Sequence, residues 1–102
     1  MNLSNICQQA LQLTEQTARF LRQELGNVST SQIEEKALNS LVSYVDKTAE
    51  AQLVEGLQLI TPGCSFLTEE DSVENTEGDL RWIVDPLDGT TNFLFQLPVF
   101  SI

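Results

Sequence analysis

Histidine is absent from this 102-residue chain, cysteine occurs only twice, and lysine and arginine together supply five residues. With no histidine, and with Cys7 and Cys64 far apart and outside any C-x-x-C spacing, the residues give no basis for a zinc site. Both cysteines read instead as small buried hydrophobes of a reducing cytoplasm. The shortage of positive charge is equally informative. Fifteen acidic residues against five basic ones leave a net charge of −10, which argues against nucleic acid or an anionic membrane as partner and favours cations. A phosphate group could be held here only with metal help or by backbone amides. No long apolar run opens the chain, because glutamine, glutamate and arginine are spread through its first 25 residues. A signal peptide or membrane helix is therefore not expected, and the reading is a soluble cytoplasmic protein. Internal repeats and low-complexity tracts are missing too. The length allows one modest core, in either a complete small domain or the front part of a larger one.

What is present is acid, unevenly placed. Glu69, Glu70, Asp71, Glu74, Glu77, Asp79, Asp85 and Asp88, eight of the fifteen, fall within a fifth of the chain. Around them the periodicity predicts a mixed α/β arrangement. Leu3, Ile6, Ala10, Leu13, Thr17 and Phe20 form one helical stripe, with Gly26 as a natural stop. Residues 33–46 read as a hairpin turning at Asn39-Ser40. Asp46 opens a second helix over 46–60, with Ala49, Leu53, Leu57 and Ile60 on one face and Thr61-Pro62-Gly63 ending it. Ser65-Phe66-Leu67 reads as a short strand, Leu80 to Val84 as a buried strand, 75–79 as a polar loop, and Leu97 to Ile102 as the start of a further strand. That last strand has no later element to cover Val99, Phe100 and Ile102, so an incomplete domain is expected.

The stretch WIVDPLDGTTNF, residues 82–93, carries the chemistry. Asp85 before Pro86 is pushed toward an extended conformation that suits the end of a strand, and Pro86-Leu87-Asp88-Gly89 has the residue order of a tight turn. Two carboxylates three residues apart, with the Leu87 carbonyl between them, supply the hard oxygens that magnesium prefers. Gly89 permits close backbone approach, and Thr90 and Thr91 can open a helix whose free amides suit an oxyanion. If the strands ending at Glu69 and Asp85 are neighbours, their acids meet at one rim of the sheet.

WIVDPLDGTTNF closely resembles the signature of the inositol monophosphatase family of magnesium-dependent phosphatases. VSYVDKTAE at 42–50, FLTEED at 66–71 and LPVFSI at 97–102 agree with that family's N-terminal part, and the resemblance covers most of the chain from Glu35 onward. Thr91-Asn92-Phe93 is more similar to inositol monophosphatases than to adenosine bisphosphate phosphatases, and fructose bisphosphatases are a more distant match. The resemblance implies a truncated N-terminal part of an αβαβα sandwich: a helix over 1–26, the 33–46 hairpin, the 46–60 helix and metal-binding strands and loop over 65–102, with the C-terminal half absent.

It further implies that Glu69, Asp85, the Leu87 carbonyl and Asp88 bind magnesium, two or three ions in the complete site. Asp46 would hydrogen-bond to Thr90, and this pair would orient and deprotonate the attacking water, with Glu69 the third catalytic residue, bridging two of the ions together with Asp85. The Gly89 and Thr90 amides, beside Asp88, would hold the substrate phosphate. Glu70 and Lys36 would stand one layer behind, and Ser40 occupies a hairpin position where many members carry an acid. The activity implied is hydrolysis of a phosphomonoester, inositol-1-phosphate foremost, by in-line attack of a metal-activated water between ions roughly 3.5–4 Å apart. A homodimer is implied for the full-length protein, and the chain alone is expected to be inactive.

Taken singly, the residues have plainer readings. Asp46 suits a helix N-cap, Glu69-Glu70-Asp71 a solvated charge run, Asp88-Gly89 a turn, Lys36 a surface lysine, Thr90 another cap and Trp82 a core anchor. Their coincidence in order and spacing favours the phosphatase. Two alternatives remain: a bisphosphate nucleotidase, and a non-catalytic, acidic cation-binding module.

Overall fold

A computed structural model describes residues 2–29, 35–70, 73, 78–95, 97–98 and 100–102. The element order is α1 (Leu3–Ser29), α2 (Glu35–Ile60), β1 (Ser65–Thr68), β2 (Arg81–Val84) and α3 (Thr90–Leu94). The mixture is compatible with the expected α/β class. No helix among the described residues is long and apolar enough to cross a membrane.

Helix α1 keeps the predicted period but turns a slightly different face inward. Thr17 and Leu21 are fully buried, Leu13 is half-buried, and Leu3 is exposed. Leu21 extends the stripe by i, i+4 from Thr17, one residue past the predicted end at Phe20. The helix also runs through Gly26 to Ser29; a glycine inside a helix costs only about 1 kcal/mol and is tolerated.

Helix α2 corrects the hairpin expected at 33–46. From Glu35 the chain is one continuous helix to Ile60, while Ile33 and Glu34 lie outside the described residues. The physical reason is the spacing of Leu38, Leu41, Val42, Val45 and Ala49, which continues the later stripe of Leu53 and Leu57 backwards at intervals of three and four. Asn39-Ser40 lacks a glycine or proline to enforce a turn, so helical periodicity wins. Asp46 consequently sits inside a helix and cannot be its N-cap. The two long helices pack closely where Gly56 meets Leu13: a Cβ on Gly56 would stand 2.5 Å from Leu13 Cδ1.

Strands β1 and β2 pair in parallel, with Ser65 opposite Arg81 and Thr68 opposite Val84. Thr61-Pro62-Gly63 ends α2 as expected, Gly63 taking a φ of 81°, and the Ser65 amide donates to the Leu80 carbonyl at 2.9 Å to start the pairing. Trp82 is half-buried and its indole N–H donates to Thr61 Oγ1 at 3.0 Å, fastening β2 to the end of α2. It is a core anchor, as read.

Two apolar clusters hold the layers together. Leu53, Val54 and Leu57 of α2 pack on Phe66 and Val84 of the sheet, and Leu21, Val45 and Ala49 pack on Leu87 and Phe93 beyond it. Each of these leucine, valine and phenylalanine side chains, fully buried, stabilises by about 1.5–3 kcal/mol. Among the described residues, the expected strand over 97–102 reduces to one antiparallel bridge, between Asp88 and Ser101, with N···O distances of 2.7 and 2.9 Å. Pro98 has no N–H to extend a ladder. Phe100 and Ile102, expected to lack cover, are half-buried. Phe100 meets Phe93 edge-on with ring centroids 5.3 Å apart, and Ile102 touches both clusters. Val99 lies outside the described residues. Cys7 is exposed, against the expectation of burial, and lines with Ala10, Thr14 and Trp82 an open cavity between α1 and the start of β2; Cys64 is half-buried, and neither is in a disulfide.

Candidate metal and phosphate site

The register of the two strands builds the site. Thr68 is paired with Val84, so the next residues, Glu69 and Asp85, emerge side by side at the carboxyl ends of parallel strands, about 4.8 Å being the spacing of neighbouring strands. This is the rim the sequence implies. A cavity of about 260 Å³ opens there, lined by Asp46, Glu69, Glu70, Asp85, Pro86, Leu87, Asp88, Gly89 and Thr90. Every predicted site residue except Lys36 lines it; the Lys36 side chain lies outside the described residues. Pro86, read from the sequence only as a turn former, is fully buried and lines the cavity as well.

The turn is held by its own side chains. The Leu87 amide donates to Asp85 Oδ1 at 3.3 Å, an aspartate turn of the ordinary kind. The Thr90 hydroxyl donates to the Leu87 carbonyl at 3.1 Å. Asp88 is fixed by the main-chain bridge to Ser101, which leaves its exposed carboxylate free of any structural duty in that pairing. Gly89 adopts a φ of 94°, in the left-handed region, and precedes α3. A glycine is the residue that takes this conformation without strain. By helix geometry the first amides of α3 have no acceptor within the helix.

One expected contact is not made. The resemblance implies a hydrogen bond between Thr90 and Asp46, but the single hydroxyl proton of Thr90 is given to Leu87. Asp46 Oδ1 is buried with no hydrogen-bond partner. Its carboxyl is pushed up to about 6, first by burial and then by repulsion from Glu70, Asp85, Glu69 and Glu50. A buried, unpartnered carboxylate oxygen facing other acids is a costly arrangement without a positive partner.

Sequence reasoning misses Glu50. This side chain is fully buried, and its Oε1 accepts the Glu70 amide at 2.8 Å. The available signal is its place one helical turn after Asp46, beside the apolar Leu53 and Val54, which puts it on the inner face of α2.

The donor set is one of hard oxygens: carboxylates from three different elements and a main-chain carbonyl. In kind it fits a hard divalent cation, and the orphaned Asp46 oxygen points the same way. Among the described residues, no three acidic or cysteine side chains stand close enough together to make a ready-made cage.

Fold and site together define a mixed helix–strand protein with a carboxylate-lined cavity at the carboxyl ends of its parallel strands, the place where such sheets bind ligands. The chain belongs to the inositol monophosphatase family, whose model matches residues 2–102. The match therefore takes in α1 as well as the segment from Glu35 onward. Among similar proteins, an inositol-1-monophosphatase of Mesorhizobium japonicum is 40% identical over 93 residues, 90% of this chain and 35% of its own length. A protein of Aquifex aeolicus named fructose-1,6-bisphosphatase/inositol-1-monophosphatase is 38% identical over 84 residues, 82% of this chain and 32% of its own. The Nus factor SuhB of Escherichia coli is 42% identical over 69 residues, 67% of this chain and 26% of its own. The chain thus spans about a third or less of the length of these relatives.

Proposed function

We infer that the protein to which these 102 residues belong is a magnesium-dependent phosphomonoesterase acting on inositol-1-phosphate, and that this chain carries the metal-binding and phosphate-binding part of its active site. The observation that carries the reading is the meeting of Glu69 and Asp85 at one rim, opposite Asp46 and next to Asp88, Gly89 and Thr90, in a single cavity. Membership of a family that is generally metal-dependent supports it, as does the name of the Mesorhizobium relative.

In this reading Glu69, Asp85, Asp88 and the Leu87 carbonyl hold the magnesium. When bound, the ion lowers the pKa of water and offsets negative charge on the phosphoryl oxygens. Asp46, basic for a carboxylate and without a partner on Oδ1, accepts the proton of the attacking water. The Thr90 hydroxyl donates to the Leu87 carbonyl and would donate to Asp46 only on turning away from it. The Gly89 and Thr90 amides orient the phosphate oxygens, while Glu70 and Lys36 support the rim from behind. The same reading places the protein in the cytoplasm as a homodimer in an αβαβα sandwich, with no nucleic-acid or membrane partner for so acidic a chain.

A second reading, a non-catalytic, acidic cation-binding module, keeps the same carboxylate-lined cavity on a chain that spans about a third or less of the length of the relatives named above. Phosphate release separates the two. The complete product of the gene, assayed with inositol-1-phosphate, fructose-1,6-bisphosphate and adenosine 3′,5′-bisphosphate, should turn over the first fastest. Preference for adenosine bisphosphate would move the assignment to a nucleotidase, and release from none of the three would favour the binding module.

A further inference from the structure

Glu50 is the one acidic residue among the described residues whose side chain is wholly enclosed, at 0% exposure. Enclosing a carboxylate is costly unless strong hydrogen bonds compensate, and an apolar side chain of similar volume would serve a core at least as well. After Glu50 this face of α2 is aliphatic, with Leu53, Val54 and Leu57 buried against the sheet. Stability therefore does not account for the residue, whereas its contact does. Oε1 accepts the amide of Glu70 at 2.8 Å, a charge-assisted bond. That amide belongs to the peptide joining Glu69 to Glu70, one residue past Thr68, the last residue of the β1–β2 register. Holding this peptide restrains ψ of Glu69, so that residue is fixed from β1 on one side and from Glu50 on the other.

We propose that Glu50 is a positioning residue: by gripping the Glu69–Glu70 peptide from inside the core, it aims Glu69 across the cavity toward Asp85 and Asp88 and so sets the affinity of the site for a divalent cation. Helix α2 then serves the cavity twice, one turn apart, with Asp46 entering it directly and Glu50 acting through the exit of β1. The proposal rests on the metal-dependent reading above.

The test uses the complete gene product as wild type and as E50Q, which keeps a carbonyl acceptor, E50M, which keeps the volume without one, and E50D, which keeps the charge but withdraws the acceptor by one methylene. Three properties are measured: amide hydrogen exchange at Glu70, magnesium binding by calorimetry, and the KM for inositol-1-phosphate at saturating magnesium. E50Q should keep the wild-type magnesium affinity. E50M and E50D should speed exchange at the Glu70 amide and weaken magnesium binding by about 10–100-fold, the range for groups that orient metal ligands, with KM unmoved. Thermal melts identify any variant that fails to fold, and E50D carries the test if E50M does. Unchanged magnesium affinity in a folded E50M or E50D overturns the proposal alone, as does E50Q losing as much as they do. A wild-type protein that binds no magnesium overturns the metal reading itself and this proposal with it.

Discussion

Exchanging Asp88 for asparagine should leave the protein folded and, on the phosphatase reading, remove nearly all phosphate release by the complete gene product. The main chain of residue 88 is bridged to Ser101 through both its amide and its carbonyl, a pairing indifferent to the side chain. The exposed carboxylate lines the cavity, and the amide that replaces it has the same shape but no charge. A lost ligand charge should cost more than the roughly 10–100-fold seen when groups behind a metal ligand are altered. Melting should be unchanged or slightly raised, because one of several mutually repelling acids has gone. The comparison is made by phosphate release at saturating substrate, together with a thermal melt. Wild-type turnover in D88N would remove Asp88 from the ligand set.

The second large effect concerns Asp46, where function and stability should move in opposite directions. Burial first, and then the neighbouring acids, raise its carboxyl in the folded protein from 3.8 to about 6. The folded state consequently holds this proton more tightly than the unfolded state. Between about 3.8 and 6 the folded chain keeps a proton that the unfolded chain has released, so stability from this group falls as pH rises through that window and is lowest above it. Asparagine at position 46 cannot ionise. In the metal-free protein at pH 7.5, D46N should melt above wild type, by a shift on the order of a few degrees given the partial exposure of the site. The gap should close toward pH 4. Turnover should fall by about 100- to 10,000-fold, the usual contribution of a proton acceptor. A D46N protein less stable than wild type at pH 7.5, or a gap independent of pH, would contradict this account of the charge balance.

The rim is legible in the amino-acid order because its signals are local. A proline directly after Asp85 and a glycine directly after Asp88 punctuate the chain, and the apolar Trp82-Ile83-Val84 run ahead of them can only be a strand or a helix fragment too short to stand alone. Parallel pairing of β1 and β2 then brings Glu69 beside Asp85 without further assumptions. What escapes the sequence depends on longer-range competition. The hairpin expected at 33–46 rests on Asn39-Ser40, a weak turn signal, although Leu38, Leu41, Val42 and Val45 already follow the helical period that α2 adopts. The strand expected at 97–102 rests on composition, yet only Ser101 finds a ladder partner among the described residues. Glu50 looks like one more exposed glutamate on an amphipathic helix. Its burial is a tertiary fact, decided by the free amide that β1 presents at its exit. The Asp46–Thr90 contact follows from resemblance alone, and the hydroxyl has its acceptor in Leu87.

The central claim is that the carboxylate cavity at the strand ends is a magnesium-dependent phosphate-ester site. It is tested most directly by measuring phosphate release from inositol-1-phosphate by the complete gene product, with the 102-residue chain assayed alongside, first after exhaustive chelation and then as magnesium is restored. The account predicts no release from the chelated protein, recovery by the complete product on adding magnesium, and none from the 102-residue chain, because three relatives align with it over only about a third or less of their lengths. Full turnover by the complete product after chelation, or no turnover with any divalent cation, would contradict it.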